Sequence, residues 1–376
     1  MDCTSGNDII YRVLFSLVCR FRFKARQRVT MCMGMRVYNF IRIRIPNTPA
    51  YMMQKYSVTD EDIGFISEKC VAVLGYGSQG RSQARNLRDS GISVIVGNRP
   101  GKSFDLAVSD GFSVMSVRDA VMRSDILAVF FPDESAADIY LKDIAPFLKE
   151  GQCLVFAHGF NIHYGFIVPP KFTDVVLVAP KGVGPMVRKL YEDGSGVPSL
   201  IAVHQDHTGR ALNLALGFAA GIGSSRSAVL ASTFRDETET DLFGEQAVIC
   251  GGLPALIFAA YDTLVKAGYP PELAFSECAH EVKLVVDLIY EGGFSKMHDF
   301  VSKTAGYGGI TRGARVIGDD SRKQMTTILN EIQSGEFAKE WMAEKRAGSK
   351  KYAGLVDQVK NSDIETTGAE FRGLLT

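Results

Sequence analysis

A glycine-rich turn constrains the fold of this chain more than any other feature of the sequence. The apolar run 71–74 leads into Gly75, Gly77 and Gly80, which have the spacing GxGxxG, and a helix-like stretch follows at 82–90. Glycines at these positions let the backbone approach a pyrophosphate, which then binds at the positive N-terminus of the helix. An ordinary glycine-rich turn is the alternative, but the strand and helix that flank it favour a dinucleotide site.

The apolar runs continue beyond this turn. Helix-like stretches, such as 136–148, separate several of them. Near-continuous Val, Ile and Leu strands that alternate with helices are typical of a parallel sheet covered on both faces. The sequence therefore predicts an α/β domain over 70–232, with a Rossmann-type, doubly wound parallel sheet. Its predicted strands are 71–74, 94–96, 126–131, 154–156, 175–178 and 200–203.

Strand-like runs stop after about residue 230. By their length and periodicity, the segments 242–267, 271–290 and 323–345 predict helices. Gly251, Gly252 and a proline interrupt the first of them, where we expect a bend or a break. A chain of 376 residues suits two domains, and the second, over 233–376, is predicted to be mainly α-helical.

Residues 1–69 form a basic extension and a lead-in to the first strand. No acidic residue occurs over 9–57, whereas ten arginines and lysines do. An acid-free, Arg-rich leader could be an organellar transit peptide. Its few serines and its opening Asp2 and Asp8 instead favour an irregular extension, with the true start at Met35. We expect a cytoplasmic protein, with an organelle as the alternative.

Overall charge restricts the classes of partner. The 42 basic side chains balance 42 acidic ones, so nothing draws the whole molecule to nucleic acid or to a membrane surface. Seven cysteines are scattered without a CxxC pair, which predicts reduced thiols rather than a disulfide framework.

The end of the second predicted strand indicates which cofactor binds. A site specific for NAD carries an acidic residue there, whereas this chain has none until Asp105. Arg99, Lys102 and Ser103 can instead bind a 2′-phosphate through charge-assisted hydrogen bonds. The loop favours NADPH, with NADH possible. A solvated basic loop is the alternative, above all for Lys102.

Two pairs of carboxylates suggest a metal site. Asp241 and Glu245 lie four residues apart on one predicted helix, and Glu277 and Glu281 repeat this spacing on another. Each pair therefore shares one face of its helix, where like charges repel unless something offsets them. Hard oxygen ligands from facing helices suit Mg²⁺. Solvated surface acids remain the alternative.

Two further candidates follow predicted strands, where open α/β sheets bind their ligands. His158 can transfer a proton near the nicotinamide. Lys181 can stabilise negative charge that develops on a substrate oxygen. Taken singly, each of these residues is better explained by a structural role.

Five long motifs together resemble ketol-acid reductoisomerase, also called acetohydroxy-acid isomeroreductase, in its short bacterial-type form. They are GYGSQG at 75–80, FAHGFNIHY at 156–164, APKGVG at 179–184, ETETDLFGEQ at 237–246 and ECAHEVKLVVDLIYEGG at 277–293. The resemblance implies a knotted helical domain, homodimers or higher homo-oligomers, NADPH and two Mg²⁺. It also implies a reaction in valine and isoleucine biosynthesis. There 2-acetolactate or 2-aceto-2-hydroxybutyrate undergoes alkyl migration and is then reduced.

The resemblance also implies roles for individual residues. By this resemblance, the catalytic residues are His158, Lys181 and Glu281, and Ser302 binds substrate. The two-magnesium site is formed by Asp241, Glu245, Glu277 and Glu281, with the second pair typically from a partner subunit. The predicted cofactor contacts lie in the glycine turn, in the basic loop and at two further positions that the resemblance implies. They are Gly75, Tyr76, Gly77, Ser78, Gln79, Gly80, Arg99, Lys102, Ser103, Asp133 and Gly184.

The chain departs from the family pattern at several positions. Arg81 stands where the family usually has His, and the basic loop is one residue shorter, with Lys102 where Ser is common. Gly306 and Gly309 replace two acidic residues near the substrate.

Two other functions fit a Rossmann-type domain joined to helices. A β-hydroxyacid dehydrogenase-like oxidoreductase needs no metal, so the two carboxylate pairs would have no purpose. A non-catalytic dinucleotide sensor has no use for His158, Lys181 or a cage of oxygen ligands.

Overall fold

The computed structural model describes residues 53–375. The predictions about the basic leader and about Met35 therefore lie outside the described residues. A nine-stranded sheet, in the order β1-β9-β8-β7-β6-β5-β2-β3-β4, forms the centre of the first part of the chain. Its strands are β1 (Lys55–Tyr56), β2 (Cys70–Leu74), β3 (Ser93–Gly97), β4 (Ser113–Met115), β5 (Ile126–Val129), β6 (Cys153–Phe156), β7 (Asp174–Pro180), β8 (Ser199–Gln205) and β9 (Val229–Ala231).

The doubly wound sheet is confirmed, with one difference. The six strands β2 to β7 pair in parallel, and the strand order reverses between β2 and β5. However, β8 pairs antiparallel with β7, and β1 pairs antiparallel with β9, so the sheet as a whole is mixed. Apolar runs show where strands lie but not their direction. The strands β1, β4 and β9 were not predicted, because two or three residues are too few to show a pattern in the sequence.

Helices cover both faces of the sheet, as the continuous apolar strands require. Along β2, Val71 and Val73 pack into one buried cluster while Ala72 and Leu74 pack into another, because successive side chains point to opposite faces. The flanking helices are α1 (Ser78–Asp89), α2 (Lys102–Ser109), α3 (Val117–Arg123), α4 (Asp133–Ile139), α5 (Phe160–His163), α6 (Gly184–Glu192) and α7 (Ala211–Gly221).

The remainder of the described chain is helical, as predicted. The break near Gly251 is confirmed, because a π-helical turn at Glu245–Ile249 separates two helices there. The single helix predicted over 323–345 is wrong, since Gly335 has a φ of 74° and divides it. These helices are α8 (Phe234–Gly244), α9 (Gly252–Lys266), α10 (Pro271–Phe275), α11 (Val282–Phe300), α12 (Lys303–Val316), α13 (Asp319–Gln333), α14 (Glu336–Arg346), α15 (Lys350–Lys360) and α16 (Asp363–Leu374).

A large apolar surface lies open on these helices. Tyr290, Phe294 and Tyr307 on α11 and α12 are each about two-thirds exposed or more. The stretch 234–266 is long and apolar enough to cross a membrane, and its most apolar window is only 6% buried. Exposed apolar surface of this kind, where it is contiguous, is typical of an interaction face.

Candidate active site

A cavity of about 1260 Å³ opens at the carboxyl edge of the parallel strands, where the strand order reverses. Open α/β sheets bind nucleotides at this position. The cavity is lined by the turn after β2, the loop after β3 and the loop after β5. Eight of the predicted cofactor residues line it: Gly75, Tyr76, Gly77, Ser78, Gln79, Arg99, Lys102 and Ser103.

Close backbone packing explains the glycines of the turn. Gly75 has a φ of 96°, and a Cβ placed on Gly80 would lie 2.1 Å from the carbonyl oxygen of Gly75. Gly184, at the start of α6, packs in the same manner, because its Cβ would lie 2.2 Å from the carbonyl oxygen of Ser78. Gly80 and Gly184 therefore support the turn from behind and are not part of the cavity lining.

Substituting Gly184→Ala is expected to weaken cofactor binding by about tenfold or more and to lower the free energy of unfolding by about 2 kcal/mol, since backbone must move. Fluorescence titration with NADPH and denaturant unfolding measure the two effects. Gly64→Ala is the control, because a Cβ there meets no atom within 4 Å. Unchanged NADPH affinity in Gly184→Ala would contradict the supporting role.

Arg81, which departs from the family pattern, helps to fix the turn. Its guanidinium donates two hydrogen bonds to Asp110, at 2.7 and 3.0 Å, and the hydroxyl of Tyr76 donates a third at 2.8 Å. The guanidinium of Arg81 holds the pKa of the Asp110 carboxyl below its ordinary value. The buried Tyr76 ring is therefore held at the entrance of the turn by a charged partner.

The basic loop after β3 meets the start of a helix. Lys102 and Ser103 form the first turn of α2, where backbone N–H groups are free to bind an anion. Arg99 lies in the preceding loop and lines the same cavity. Two cations and a helix N-terminus thus lie together at this end of the cavity.

A compact charged cluster lies at the ends of β6 and β7, against helix α8. Lys181 donates hydrogen bonds from Nζ to Glu237 Oε1 at 2.7 Å and to Asp241 Oδ1 at 2.8 Å. His158 Nδ1 lies 3.2 Å from Glu237 Oε2 and 3.6 Å from Asp241 Oδ2. The two predicted catalytic residues and one predicted metal ligand are therefore brought together.

Glu237 is a site residue that the sequence reasoning missed. Its side chain is 1% exposed, and it also accepts a hydrogen bond from the backbone N–H of Gly159 at 2.9 Å. A signal was available, because Glu237 precedes Asp241 by the same four residues that separate Asp241 from Glu245. The three carboxylates follow one face of a helix, and only the last two were singled out.

Gly159 brings the helix close to the sheet. A Cβ at this position would lie 2.3 Å from Thr238 Oγ1 and 2.8 Å from the carbonyl oxygen of Phe234. Because only glycine allows this approach, α8 can place Glu237 directly beneath His158 and Lys181.

The pKa values of the cluster reflect its opposite charges. Burial alone would lower the pKa of His158, but the hydrogen bond and charge of Glu237 outweigh burial and raise it above its ordinary value. The pKa of Glu237 is lowered in spite of burial, because His158 and Lys181 stabilise the carboxylate. Burial, followed by the charge of Asp241, raises the pKa of Glu245. A further cation between these acids would relieve that repulsion.

The second carboxylate pair lies apart from this cluster. Among the described residues, the group that could hold a metal ion consists of His158, Glu237 and Asp241. Glu277 and Glu281 are exposed, in and just after the π-helical turn Ser276–His280. Ser302, also exposed, caps α12 by accepting a hydrogen bond from the N–H of Ala305 at 3.1 Å. The metal set predicted from the sequence therefore stays a prediction, because Glu277 and Glu281 do not join this group within the described chain.

Asp133, a predicted cofactor contact, lies between two lining residues of the cavity in sequence but is not itself in the described lining. Its backbone carbonyl and its carboxylate both accept hydrogen bonds from the amide of Asn161, at 3.1 and 3.2 Å. Burial raises the pKa of the Asp133 carboxyl to about 6. Asp133 is the first residue of α4, and the charge of His158 acts against this rise in the pKa.

Comparisons with known proteins cover nearly all of the described chain. A family model described as acetohydroxy acid isomeroreductase, NADPH-binding domain, matches residues 65–228. A second, described as ketol-acid reductoisomerase, C-terminal domain, matches residues 234–376. The solved structure of an NADH-preferring ketol-acid reductoisomerase from an uncultured archean is 41% identical, with a TM-score of 0.83. The match covers 86% of this chain and 99% of that one.

A more distant structure shares the fold. It is a semialdehyde dehydrogenase NAD-binding protein from Cupriavidus necator in complex with calcium and NAD. It is 19% identical, with a TM-score of 0.55, and the match covers 71% of this chain and 99% of that one.

Proposed function

Because the chain belongs to the ketol-acid reductoisomerase family of branched-chain amino-acid biosynthesis, we propose that it converts 2-acetolactate and 2-aceto-2-hydroxybutyrate to 2,3-dihydroxy-3-methyl carboxylates. The proposed reaction depends on Mg²⁺ and NADPH. The observation that carries the proposal is the cluster of Lys181, His158, Glu237 and Asp241 beside a nucleotide-sized cavity.

The donor set of this cluster fits Mg²⁺. Carboxylate oxygens of Asp241 and Glu237 meet within 4.8 Å, and Glu245 lies one helical turn further on. Mg²⁺ prefers oxygen ligands and keeps several waters, so it does not need a complete protein cage. We propose that Asp241 and Glu245 hold two Mg²⁺ together with Glu277 and Glu281 of the partner subunit. The ions would supply Lewis-acid stabilisation of substrate oxygens.

The residues of this chain position the substrate and its protons. Lys181, held by two carboxylates, presents a fixed positive charge where negative charge develops on a substrate oxygen in both steps. His158 is hydrogen-bonded through Nδ1 to Glu237, which leaves Nε2 available to exchange a proton with substrate or an ordered water. We propose that Asp133, which is adjacent in sequence to the lining residues Pro132 and Glu134, orients the nicotinamide end of the cofactor, which supplies the hydride.

We propose NADPH as the preferred cofactor, since Arg99, Lys102 and Ser103 line one end of the cavity. The similar archaeal enzyme prefers NADH, which makes NADH the alternative. Arg99→Ala combined with Lys102→Ala is expected to weaken NADPH binding about tenfold and to leave NADH binding within about twofold, because only NADPH carries the 2′-phosphate. Isothermal titration with both cofactors measures the difference. Equal losses for the two would place these side chains elsewhere on the nucleotide.

We propose a homodimer or a higher homo-oligomer as the working assembly. Exposed apolar side chains on α11 and α12 follow the exposed Glu277 and Glu281 in the sequence, and neither glutamate joins the group around Asp241 within the described chain. A second copy would cover this surface and bring its carboxylates to Asp241. Burial against a second copy would also explain why the apolar stretch 234–266 is exposed in one chain, with no need for a membrane. The balanced charge supports a cytoplasmic protein with no nucleic-acid partner.

The test is oxidation of NADPH by the full-length protein with 2-acetolactate, in the presence of Mg²⁺ and again with a chelator. Oxidation that requires both substrate and Mg²⁺ supports the proposal. Reduction of a simpler keto acid without metal would instead indicate a β-hydroxyacid dehydrogenase. Binding of NADPH without its consumption would indicate a sensor.

A further inference from the structure

One lysine of the helical region lies in the wall of the nucleotide cavity. Lys345, in the last turn of α14, lines the cavity, and its Nζ lies 3.4 Å from Oε1 of Glu134 on α4. It is the one residue after Asp143 in the described lining. The helical region thus brings a positive charge to a site that is otherwise built by the Rossmann-type part of the chain.

The order of the strands locates this lysine relative to the cofactor. The loops after β3 and β5 lie on opposite sides of the glycine turn, because β2 is between these strands in the sheet. Arg99 and Lys102 are on the β3 side, and Glu134, with Lys345 beside it, is on the β5 side. Lys345 is therefore remote from the predicted 2′-phosphate contacts, on the side of the cavity that lies across the diphosphate-binding glycine turn from them.

The charge of Lys345 matters because of the acidic residue beside it. Glu134 is mostly buried and lies at the cavity wall, where it would repel a cofactor that carries a diphosphate. Lys345 offsets that carboxylate, and its side chain is 43% exposed, so it is free to turn toward a second anion. A flexible ammonium suits this exchange, since it needs no fixed bidentate geometry.

We propose that Lys345 is a cofactor-binding residue that pairs with the diphosphate of the bound dinucleotide and neutralises Glu134 beside it. This inference rests on the proposed occupation of the cavity by NADPH or NADH. It also makes cofactor affinity depend on how α14 packs against α4.

Trp341 provides the measurement. It is the single tryptophan of the sequence and lies one helical turn before Lys345, so bound reduced nicotinamide should quench its fluorescence. Titrations with NADPH and with NADH compare the unsubstituted protein with Lys345→Met and Glu134→Gln. Lys351→Met is the matched control, because it removes a lysine ion pair, with Glu340 at 3.0 Å, that lies outside the cavity lining.

Lys345→Met is expected to raise the Kd for NADPH and NADH alike by about three- to tenfold, the range of one partly exposed ionic contact. Glu134→Gln is expected to leave the Kd unchanged or to lower it, because repulsion is removed. Lys351→Met should match the unsubstituted protein. The Lys345 effect should also shrink at high salt.

Three results would overturn the inference. The first is an unchanged Kd for both cofactors in Lys345→Met, and the second is a loss confined to NADPH, which would assign Lys345 to the 2′-phosphate. The third is equal weakening by Glu134→Gln and Lys345→Met, as expected if their ion pair only joined two helices. If the unsubstituted protein bound neither cofactor, the proposed function itself would fail, a result distinct from these three.

Discussion

Glu237→Gln should lower kcat about 100-fold or more, although Glu237 was not among the residues that the motifs singled out. The substitution keeps the shape of the side chain but removes the charge that orients His158 and Lys181. Both cations then lose their shared partner in a buried site. Steady-state kinetics with 2-acetolactate measure the loss, and NADPH affinity should stay close to that of the unsubstituted protein.

Stability should change with pH in a defined direction. The pKa of Glu237 is lowered by its cationic neighbours, so its contribution to stability is present above the ordinary carboxyl pKa and is lost as pH falls through the lowered value. Glu237→Gln should therefore be less stable by about 3 kcal/mol at neutral pH, with the difference closing in acid. Denaturant unfolding at several pH values follows this difference.

Glu239→Gln provides the control on the same helix. Glu239 is also buried, but it contacts His163, Arg235 and Gln333 and faces away from Lys181. This control should lose stability and keep most of its kcat. Similar kcat losses in the two variants would show that the catalytic effect of Glu237→Gln reflects helix packing rather than the charged cluster.

Mixing two inactive variants should restore activity if each active site is shared between subunits. Asp241→Asn removes a carboxylate from the cluster, and Glu281→Gln removes one from the exposed pair. Each variant alone should fall at least about 1000-fold in turnover while binding NADPH nearly normally, because the proposed magnesium site, and not the nucleotide site, loses a ligand. A mixed dimer contains one site in which both residues are intact.

The expected recovery follows from random pairing. After denaturation, mixing and refolding, about half of the dimers are mixed and about half of their sites are intact, which gives about a quarter of the unsubstituted activity. Asp241→Asn mixed with Asp241→Asn,Glu281→Gln is the control and should remain inactive. No recovery in the first mixture would mean that Asp241 and Glu281 of each site come from one chain, whereas full turnover in Glu281→Gln alone would mean that Glu281 is not a ligand.

Most of the nucleotide-binding part could be predicted, for physical reasons. A strand buried on both faces must be apolar throughout, so β2 and β5 to β7 could be recognised as apolar runs. The glycine turn could be recognised because contacts as short as that between Gly80 and the carbonyl of Gly75 require glycine. The direction of β8 was not visible, because side-chain pattern does not depend on strand direction. The helix predicted over 323–345 is wrong at Gly335, because a pattern of apolar residues does not reveal a positive φ.

The candidate site could be predicted only in part. His158, Lys181 and Asp241 carried motifs, and the structure places them together. Glu237 was missed in spite of its spacing from Asp241, because acidic residues are common in the first turn of a helix. Glu277 and Glu281 could be named as candidates, but the proposed site joins them to a second copy of the chain, and no pattern within one sequence specifies such a contact.

The contact at Gly159 limits how this protein can be divided. His158 and Lys181 belong to the segment matched by one family model, and Glu237 and Asp241 belong to the segment matched by the other. Neither segment contains a complete reaction centre. A chimaera that joins the first segment of this chain to the second segment of a relative must therefore preserve the fit of Gly159 against Thr238 and Phe234, a match of backbone shape rather than of catalytic residues. We expect that exchanging the loop after β3 alone alters cofactor preference, whereas the proposed chemistry can be transferred only with both halves of that contact.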